Sequence, residues 1–181
     1  MQPIETERLR LRPYRPDDLD ALYAIQSRPD VSRFIYWGAR DRAAVQASLD
    51  QKIAATRLTA PGDSLTYAVD LRATGALIGD VILIWTSAEH RQGEIGFLFH
   101  PDQHGRGYAT EAARPLLRLG FEELGLHRIV GRLDGRNAAS ARVLEKLGMR
   151  REAHLVENEW VKGEWTDEVI YALRARDWDA G

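Results

Sequence analysis

Gln103-His104-Gly105-Arg106-Gly107-Tyr108-Ala109-Thr110 is the stretch on which the reading of this chain turns. The residues just before it, 94–99 (Glu-Ile-Gly-Phe-Leu-Phe), read as a strand. Those after it place Ala109, Ala112, Ala113, Leu116, Leu117 and Phe121 on one face of a helix over 108–124. The first turn of a helix carries backbone N–H groups with no internal partner, at the positive end of its dipole. Glycines let such a backbone approach a diphosphate closely, and Arg106 adds a charge at the rim. A pyrophosphate-bearing cofactor is the natural ligand. A Walker loop would need Gly-Lys-Ser/Thr where this chain has Gly107-Tyr108-Ala109, and a dinucleotide fingerprint would need a glycine where it has Thr110.

Working outward, alternation in Arg8-Leu9-Arg10-Leu11-Arg12 predicts a half-buried strand. Pro16-Asp17-Asp18 opens a helix striped by Leu19, Leu22, Tyr23 and Ile25. A second helix is expected over 41–58, with Val45, Leu49 and Ile53 on one face. Strands are expected over 65–71 and 77–85, joined at Ala73-Thr74-Gly75, and over 128–133. A helix over 138–147 stops at Gly148. The tail reads as a hairpin of strands 150–160 and 166–173, turning at Lys162-Gly163. Strands and helices mix without strict alternation, which points to a mixed α/β sheet in one domain spanning 1–181.

Composition excludes several classes. The chain has 181 residues and no cysteine, so disulfides, thiolate catalysis and cysteine zinc sites are ruled out, and no metal site is expected. A net charge of −2 argues against a nucleic-acid partner. No apolar run approaches the ~20 residues of a spanning helix. The opening Met1-Gln2-Pro3-Ile4-Glu5-Thr6-Glu7 has neither the basic start nor the apolar core of a secretory signal, so a cytoplasmic location without membrane contact is expected.

The turn resembles motif A of the GCN5-related N-acetyltransferases (GNAT), Gln/Arg-x-x-Gly-x-Gly/Ala, with His104, Gly107 and Ala109 at its defining positions. Gly-Arg-Gly-Tyr-Ala-Thr-Glu-Ala, ending at Ala112, is especially similar to the RimJ/RimL-like branch that acetylates ribosomal-protein N-termini. So are Asn137-Ala138-Ala139-Ser140 with Val143-Leu144-Glu145-Lys146-Leu147-Gly148-Met149, the opening Glu7-Arg8-Leu9-Arg10-Leu11-Arg12, and Gly163-Glu164-Trp165 with Val169-Ile170-Tyr171-Ala172-Leu173. The signals run in the expected order over nearly the whole chain.

The resemblance implies a central twisted sheet of about seven strands with about four helices, in which strands 94–99 and 128–133 splay to admit the pantetheine arm of acetyl-CoA. Main-chain groups of Phe97, Leu98 and Phe99 would pair with the cofactor as an added strand does, and Gly96 would mark a bulge opening the gap. Residues 104–110 (His104, Gly105, Arg106, Gly107, Tyr108, Ala109 and Thr110) would hold the pyrophosphate. His104 departs from the motif at a position that mainly presents backbone. The reaction implied is direct acetyl transfer in a ternary complex, with a backbone N–H near Phe97 or Leu98 as oxyanion donor. Glu94 is the first candidate base, with Glu157 and Glu159 as rivals, or else a solvated strand-end carboxylate. The family's tyrosine acid would fall at Leu144, so Ser140 inherits the role of hydrogen-bonding the departing sulfur, its alternative being a helix-capping residue. Asn137 would contact the cofactor or serve the turn.

The acceptor pocket is expected between the first two helices, their connection and the tail hairpin. Tyr36, Trp37, Trp85, Glu157 and Trp160 are its expected lining, with Phe34 and Tyr171 as further aromatics of core or pocket. The acceptor reads as a protein N-terminal α-amine, the alternatives being a small amine (amino acid, polyamine or antibiotic) or no catalysis at all, in an acyl-CoA sensor. Assembly as a homodimer is left open.

Overall fold

The computed structural model describes residues 1–179, which form eight strands and four α-helices. Strands β1 (Ile4–Glu5) and β2 (Leu9–Arg12) precede a 3-10 turn over Pro16–Asp18, α1 (Leu19–Gln26) and α2 (Arg42–Ala54). Then come β3 (Ser64–Leu71), β4 (Leu77–Ser87), β5 (Gln92–Phe99), α3 (Tyr108–Arg118), β6 (Arg128–Asp134), α4 (Ala138–Lys146), β7 (Arg150–Val161) and β8 (Glu164–Arg174). All strands join one sheet in the order β1-β2-β3-β4-β5-β6-β8-β7. The mixed architecture is as expected. The strand beyond the expected seven is β1, whose two residues are too few to show a period.

Alternation decides what each face of the sheet carries. Leu9, Leu11, Tyr67, Val69, Val81, Leu83, Ile95 and Ile129 point to one face and pack under α3, whose Ala112, Ala113, Leu116 and Leu117 complete the main core. Tyr14, Leu22, Val45, Leu49 and Ala68 form a smaller core under α1 and α2 on the other face. Arg12 breaks its strand's polar-out pattern because it is buried between two carboxylates, donating to Asp70 at 2.6 Å and to Asp18 at 2.8 Å. The paired charges hold its guanidinium protonated far above the ordinary range.

Several helices end earlier than expected. The helix at Pro16 is a 3-10 turn before it becomes α1. The second helix stops at Ala54 rather than 58, because Ala55 leaves helical geometry and Thr56 bridges to Leu65 beside the sheet. After Arg118, α3 widens into a single π turn over Leu119–Glu123, in which Gly120 lies against Ile129. The tail hairpin turns at Lys162 and Gly163, both at positive φ, as a two-residue turn requires. Among the described residues no helix is long and apolar enough to cross a membrane.

Candidate active site

Strands β5 and β6 are parallel, yet only three rungs join them: Gln92 with Arg128, Gly93 with Ile129, and Glu94 with Val130. Both strands continue, to Phe99 and Asp134, without further pairing. The result is a fork with its apex at Glu94 and Val130. The helices α3 and α4 follow the two tines directly in sequence, so both N-termini lie at the open end. Gly96 is not the cause: β5 keeps an unbroken register against β4 from Gly93 to Phe99, and the irregularity lies between Trp85 and Ser87. That corrects the expected bulge. A Cβ on Gly131 would come within 2.7 Å of Leu144, so this glycine lets α4 press close to β6. Leu144, at the tyrosine position, is therefore core.

Which main-chain groups face the fork follows from alternation. The His100 amide donates to the Ile78 carbonyl at 2.8 Å, and a Cβ on Gly79 would lie 2.4 Å from the Leu98 carbonyl oxygen. Even-numbered positions of β5 thus address β4, leaving Phe97 and Phe99 turned to the fork. The Phe99 carbonyl is already engaged by Nε2 of His104 at 3.1 Å. Of the expected backbone contacts, Leu98 is committed to β4 and Phe99 keeps only its amide, so the Phe97 peptide is the free one. His104 does more than present backbone, since its ring ties the turn to the end of β5.

At the open end, the amides of residues 105–110 donate to no backbone carbonyl among the described residues, and the first helical bond of α3 is from Glu111 to Gly107 at 3.0 Å. Gly105 and Gly107 stand at φ 76° and 81°, the left-handed region that a Cβ disfavours. Arg8, read only as part of a strand motif, fastens this turn. It bonds the Arg106 carbonyl at 3.0 Å, pairs with Glu111 at 2.6 Å, and stacks 4.7 Å from the Tyr108 ring. Tyr108 is buried, whereas Arg106 is exposed. The free amides, two glycines and flanking guanidiniums fit a diphosphate.

On the other tine, Asn137 caps α4 by accepting from the Ser140 amide at 3.1 Å. The capping role weighed for Ser140 therefore belongs to Asn137. The Ser140 hydroxyl, half-buried, forms no hydrogen bond among the described residues.

Glu94 faces the side of the sheet covered by α1 and α2. Its carboxylate lies 3.5 Å from Arg132 on β6. Arg132 pairs in turn with Glu168 of β8 at 2.7 Å, and Asn158 donates to the other oxygen of Glu168 at 2.9 Å. Burial pushes the Glu94 pKa above the usual carboxylate range, Arg132 pulls it back, and Glu168 adds to the rise. Tyr36 donates to Glu159 at 2.7 Å, and partial desolvation of its hydroxyl together with that carboxylate raises its phenol, although the residue as a whole stays exposed. Neither Arg132 nor Glu168 was expected from the sequence. The signal legible in the sequence was a carboxylate, Glu168, in the alternating slot otherwise filled by Ile170 and Ala172; the structure leaves it 2% exposed.

Next to the fork on the same face is a cavity of about 340 Å³ between α2, the α1–α2 connection and strands β3 to β5. Trp37 lines it, together with Arg40, Lys52, Asp80, Ile82 and Leu98. Other expected liners lie elsewhere. Trp85 shares the parity of Val81 and Leu83 and packs against the main core, on the opposite face. Trp160 is 61% exposed and stacks edge-on against Trp165 at 5.3 Å. Glu157 sits in a bulge at φ 47°, with only its amide engaged, by Asp167. Its neighbours Asn158 and Glu159 reach the cluster instead. Tyr171 lies under α4 and bonds Glu145, and Phe34 sits between Arg33 and Arg136. Tyr36 is 68% exposed at the rim. One pair passed over in expecting no metal is His100 and His104, four residues apart. They flank a 3-10 turn, with His100 accepting from the Asp102 amide and His104 turned to Phe99. Among the described residues no three His, Asp or Glu side chains gather as metal ligands.

Comparison with known proteins agrees with this geometry. Residues 8–150 match the model of the acetyltransferase (GNAT) domain. The chain is 33% identical over 177 residues to the uncharacterized N-acetyltransferase YnaD of Bacillus subtilis, covering 97% of this chain and 99% of that one. A crystal structure of a GNAT-family acetyltransferase from Bacillus anthracis superposes with a TM-score of 0.86 at 31% identity, over 97% of this chain and 99% of that one. Spermidine N-acetyltransferase of Vibrio cholerae, solved with CoA and spermine, shares the fold at a TM-score of 0.78 and 21% identity, over 95% and 97% of the two chains. A strand fork between two helix N-termini and relatives of matching length lead to one conclusion: the chain belongs to the GNAT family and is an acetyl-CoA-dependent N-acetyltransferase.

Proposed function

We propose that the enzyme moves the acetyl group directly to a primary amine in a ternary complex, with the acyl end in the fork of β5 and β6 and the acceptor arriving from the face under α1 and α2. The observation that carries this is the fork itself, with free amides at its mouth and a half-buried carboxylate at its apex. Acetyl-CoA supplies an activated acyl carbon. The amides of 105–110 hold its diphosphate, the Phe97 peptide aligns its arm, and Asn137 and Ser140 border it from the other tine. Glu94 takes a proton from the acceptor, directly or through water. Its raised pKa makes it a stronger base, and Arg132 keeps it ionised. The Phe97 amide is the donor for charge developing on the acyl oxygen. A nitrogen–carbon bond forms as the carbon–sulfur bond breaks. Of the three protons of the ammonium, one stays on the amide, one ends on the thiol and one goes to solvent. Ser140 borders the sulfur and serves the departing thiolate.

The acceptor is a small amine rather than a protein N-terminus. The cavity beside the fork is of small-molecule size, and the Vibrio relative solved with spermine is itself a small-amine enzyme. The test is acetyl-CoA-dependent thiol release over a panel of small amines and N-terminal peptides, with products checked by mass. Turnover of small amines is expected. Turnover of peptides alone would restore the N-terminal reading, and binding of acetyl-CoA without release on any amine would overturn the catalytic one.

A further inference from the structure

The cavity beside the fork contains two cations of different standing. Lys52 is neutralised: its ammonium donates to Asp80 at 2.8 Å, and Asp80 also accepts from the Tyr14 hydroxyl at 2.8 Å. Arg40 has no carboxylate partner among the described residues. Its Nη1 donates to the neutral Gln26 Oε1 at 2.9 Å, and its Cζ stacks 4.1 Å from the Trp37 ring. Gln26 is 1% exposed, and its amide nitrogen donates to Ser48 at 3.2 Å, so its oxygen is held toward Arg40. Nε and Nη2 of Arg40 have no hydrogen-bond partner among the described residues. Burial without a counter-charge lowers the pKa of this guanidinium, the mark of a desolvated cation. A planar guanidinium fixed on an aromatic face, with one edge free toward a cavity, is built to receive a planar anion through two parallel hydrogen bonds.

The opposite end of the acceptor face carries the reverse charge. Glu94 and Glu168 gather there around Arg132, and Glu159 accepts from Tyr36 at the rim of the same face. The two ends are close. Ile82, in the cavity wall, opposes Gly96, and Gly96 lies two residues from Glu94, about 7 Å along a strand.

We infer that the amine acetylated here carries its own carboxylate, an amino-acid-sized acceptor whose carboxylate docks on Arg40 while its amine lies toward Glu94. This rests on the proposed transfer at the fork. A polyamine would set a second ammonium against Arg40, and an amide-capped acceptor would leave the guanidinium without its counter-charge.

The experiment compares amines in matched pairs, each a free amino acid and its carboxamide, with spermidine as a third arm. It reads thiol release and, separately, the Kd for acetyl-CoA. At least a tenfold higher kcat/KM is expected for the carboxylate member. In Arg40→Gln the acid-to-amide ratio should collapse toward one while acetyl-CoA affinity is kept. Arg40→Lys, which keeps the charge without the planar fork, should retain part of the ratio. A preference for amides or spermidine, or an acid preference that survives Arg40→Gln, would overturn the inference while leaving acetyl transfer standing. Absence of release on every amine would overturn both.

Discussion

Gly79 is where a single methyl group should damage the cofactor site from the next strand. It pairs with Phe99 across β4 and β5. A Cβ there would lie 2.4 Å from the Leu98 carbonyl oxygen and 2.8 Å from two atoms of the Phe99 ring. The ring can turn, but the carbonyl belongs to the strand. Restoring even a 3.0 Å separation needs a backbone shift of about 0.6 Å in β5. Overpacking of this kind costs roughly 1–3 kcal/mol of stability. The shift also falls between Phe97, whose peptide faces the fork, and the Phe99 carbonyl that anchors His104. Misplacing a reacting group by ~1 Å is worth about a hundredfold in rate, so a shift of half that predicts roughly a tenfold loss in kcat. Gly38→Ala is the control, because nothing lies within 4 Å of its added methyl and its φ is not positive. Urea denaturation gives the stability, calorimetry the acetyl-CoA affinity, and thiol release the rate. If Gly79→Ala matched Gly38→Ala in all three, β5 would be free to slide and could not be the ruler on which the thioester is laid.

Two further predictions probe the ends of the fork. Since burial lifts the Glu94 pKa above the carboxylate range, the ionised fraction shrinks as pH falls through that raised value, and kcat/KM should fall with it. Glu94→Gln should abolish this acid limb and lower turnover most at neutral pH, less at high pH where free amine is abundant; a limb that persisted in the variant would assign it to another group. At Gly107, φ 81° makes alanine cost roughly 1–2 kcal/mol of stability. Glutamate adds repulsion of about 2 kcal/mol per phosphate charge, taking ~8 Å and an effective dielectric near 20. Gly107→Glu should therefore bind acetyl-CoA at least tenfold more weakly than Gly107→Ala, and equal affinities would move the diphosphate elsewhere.

The parts of this molecule that were legible in its sequence are those governed by short-range periods. Leu9 and Leu11 announce a half-buried strand, and Lys162-Gly163 announces its turn. The glycines at 105 and 107 announce a backbone that only they tolerate. Parity along a strand was legible in principle and was missed at Trp85, where an aromatic next to the expected site is carried to the opposite face by one residue of register. Less legible were pairings between residues distant in the chain. Arg132 meets Glu94 because β5 and β6 lie side by side, and Glu168 because β8 inserts between β6 and β7, while Arg8 reaches the 105–110 turn from nearly 100 residues away. The end of α2 at Ala54 was hidden for a different reason: what stops it is not a local stop signal but the Thr56 bridge to Leu65 of the sheet.

The same sheet order would keep the proposed chemistry and cofactor binding from competing for side chains. On β5, odd positions turn their side chains into the core under α3 and, through Phe97 and Phe99, their peptides toward the fork. Even positions do the reverse, pairing their peptides with β4 and sending Glu94, Gly96 and Leu98 to the acceptor face. In the proposed binding mode the cofactor would thereby be read by main chain, which substitution hardly alters, and the acceptor by side chains on the other parity. A change of acceptor in this scaffold needs only even-numbered β5 positions and the elements above them, Trp37, Arg40 and Glu168 among them. The strand proposed to align the thioester could stay as it is. A swap at Leu98 should accordingly alter which amine is used with little effect on acetyl-CoA affinity. A loss of cofactor binding equal to the loss of acceptor turnover would show that the two parities are not independent.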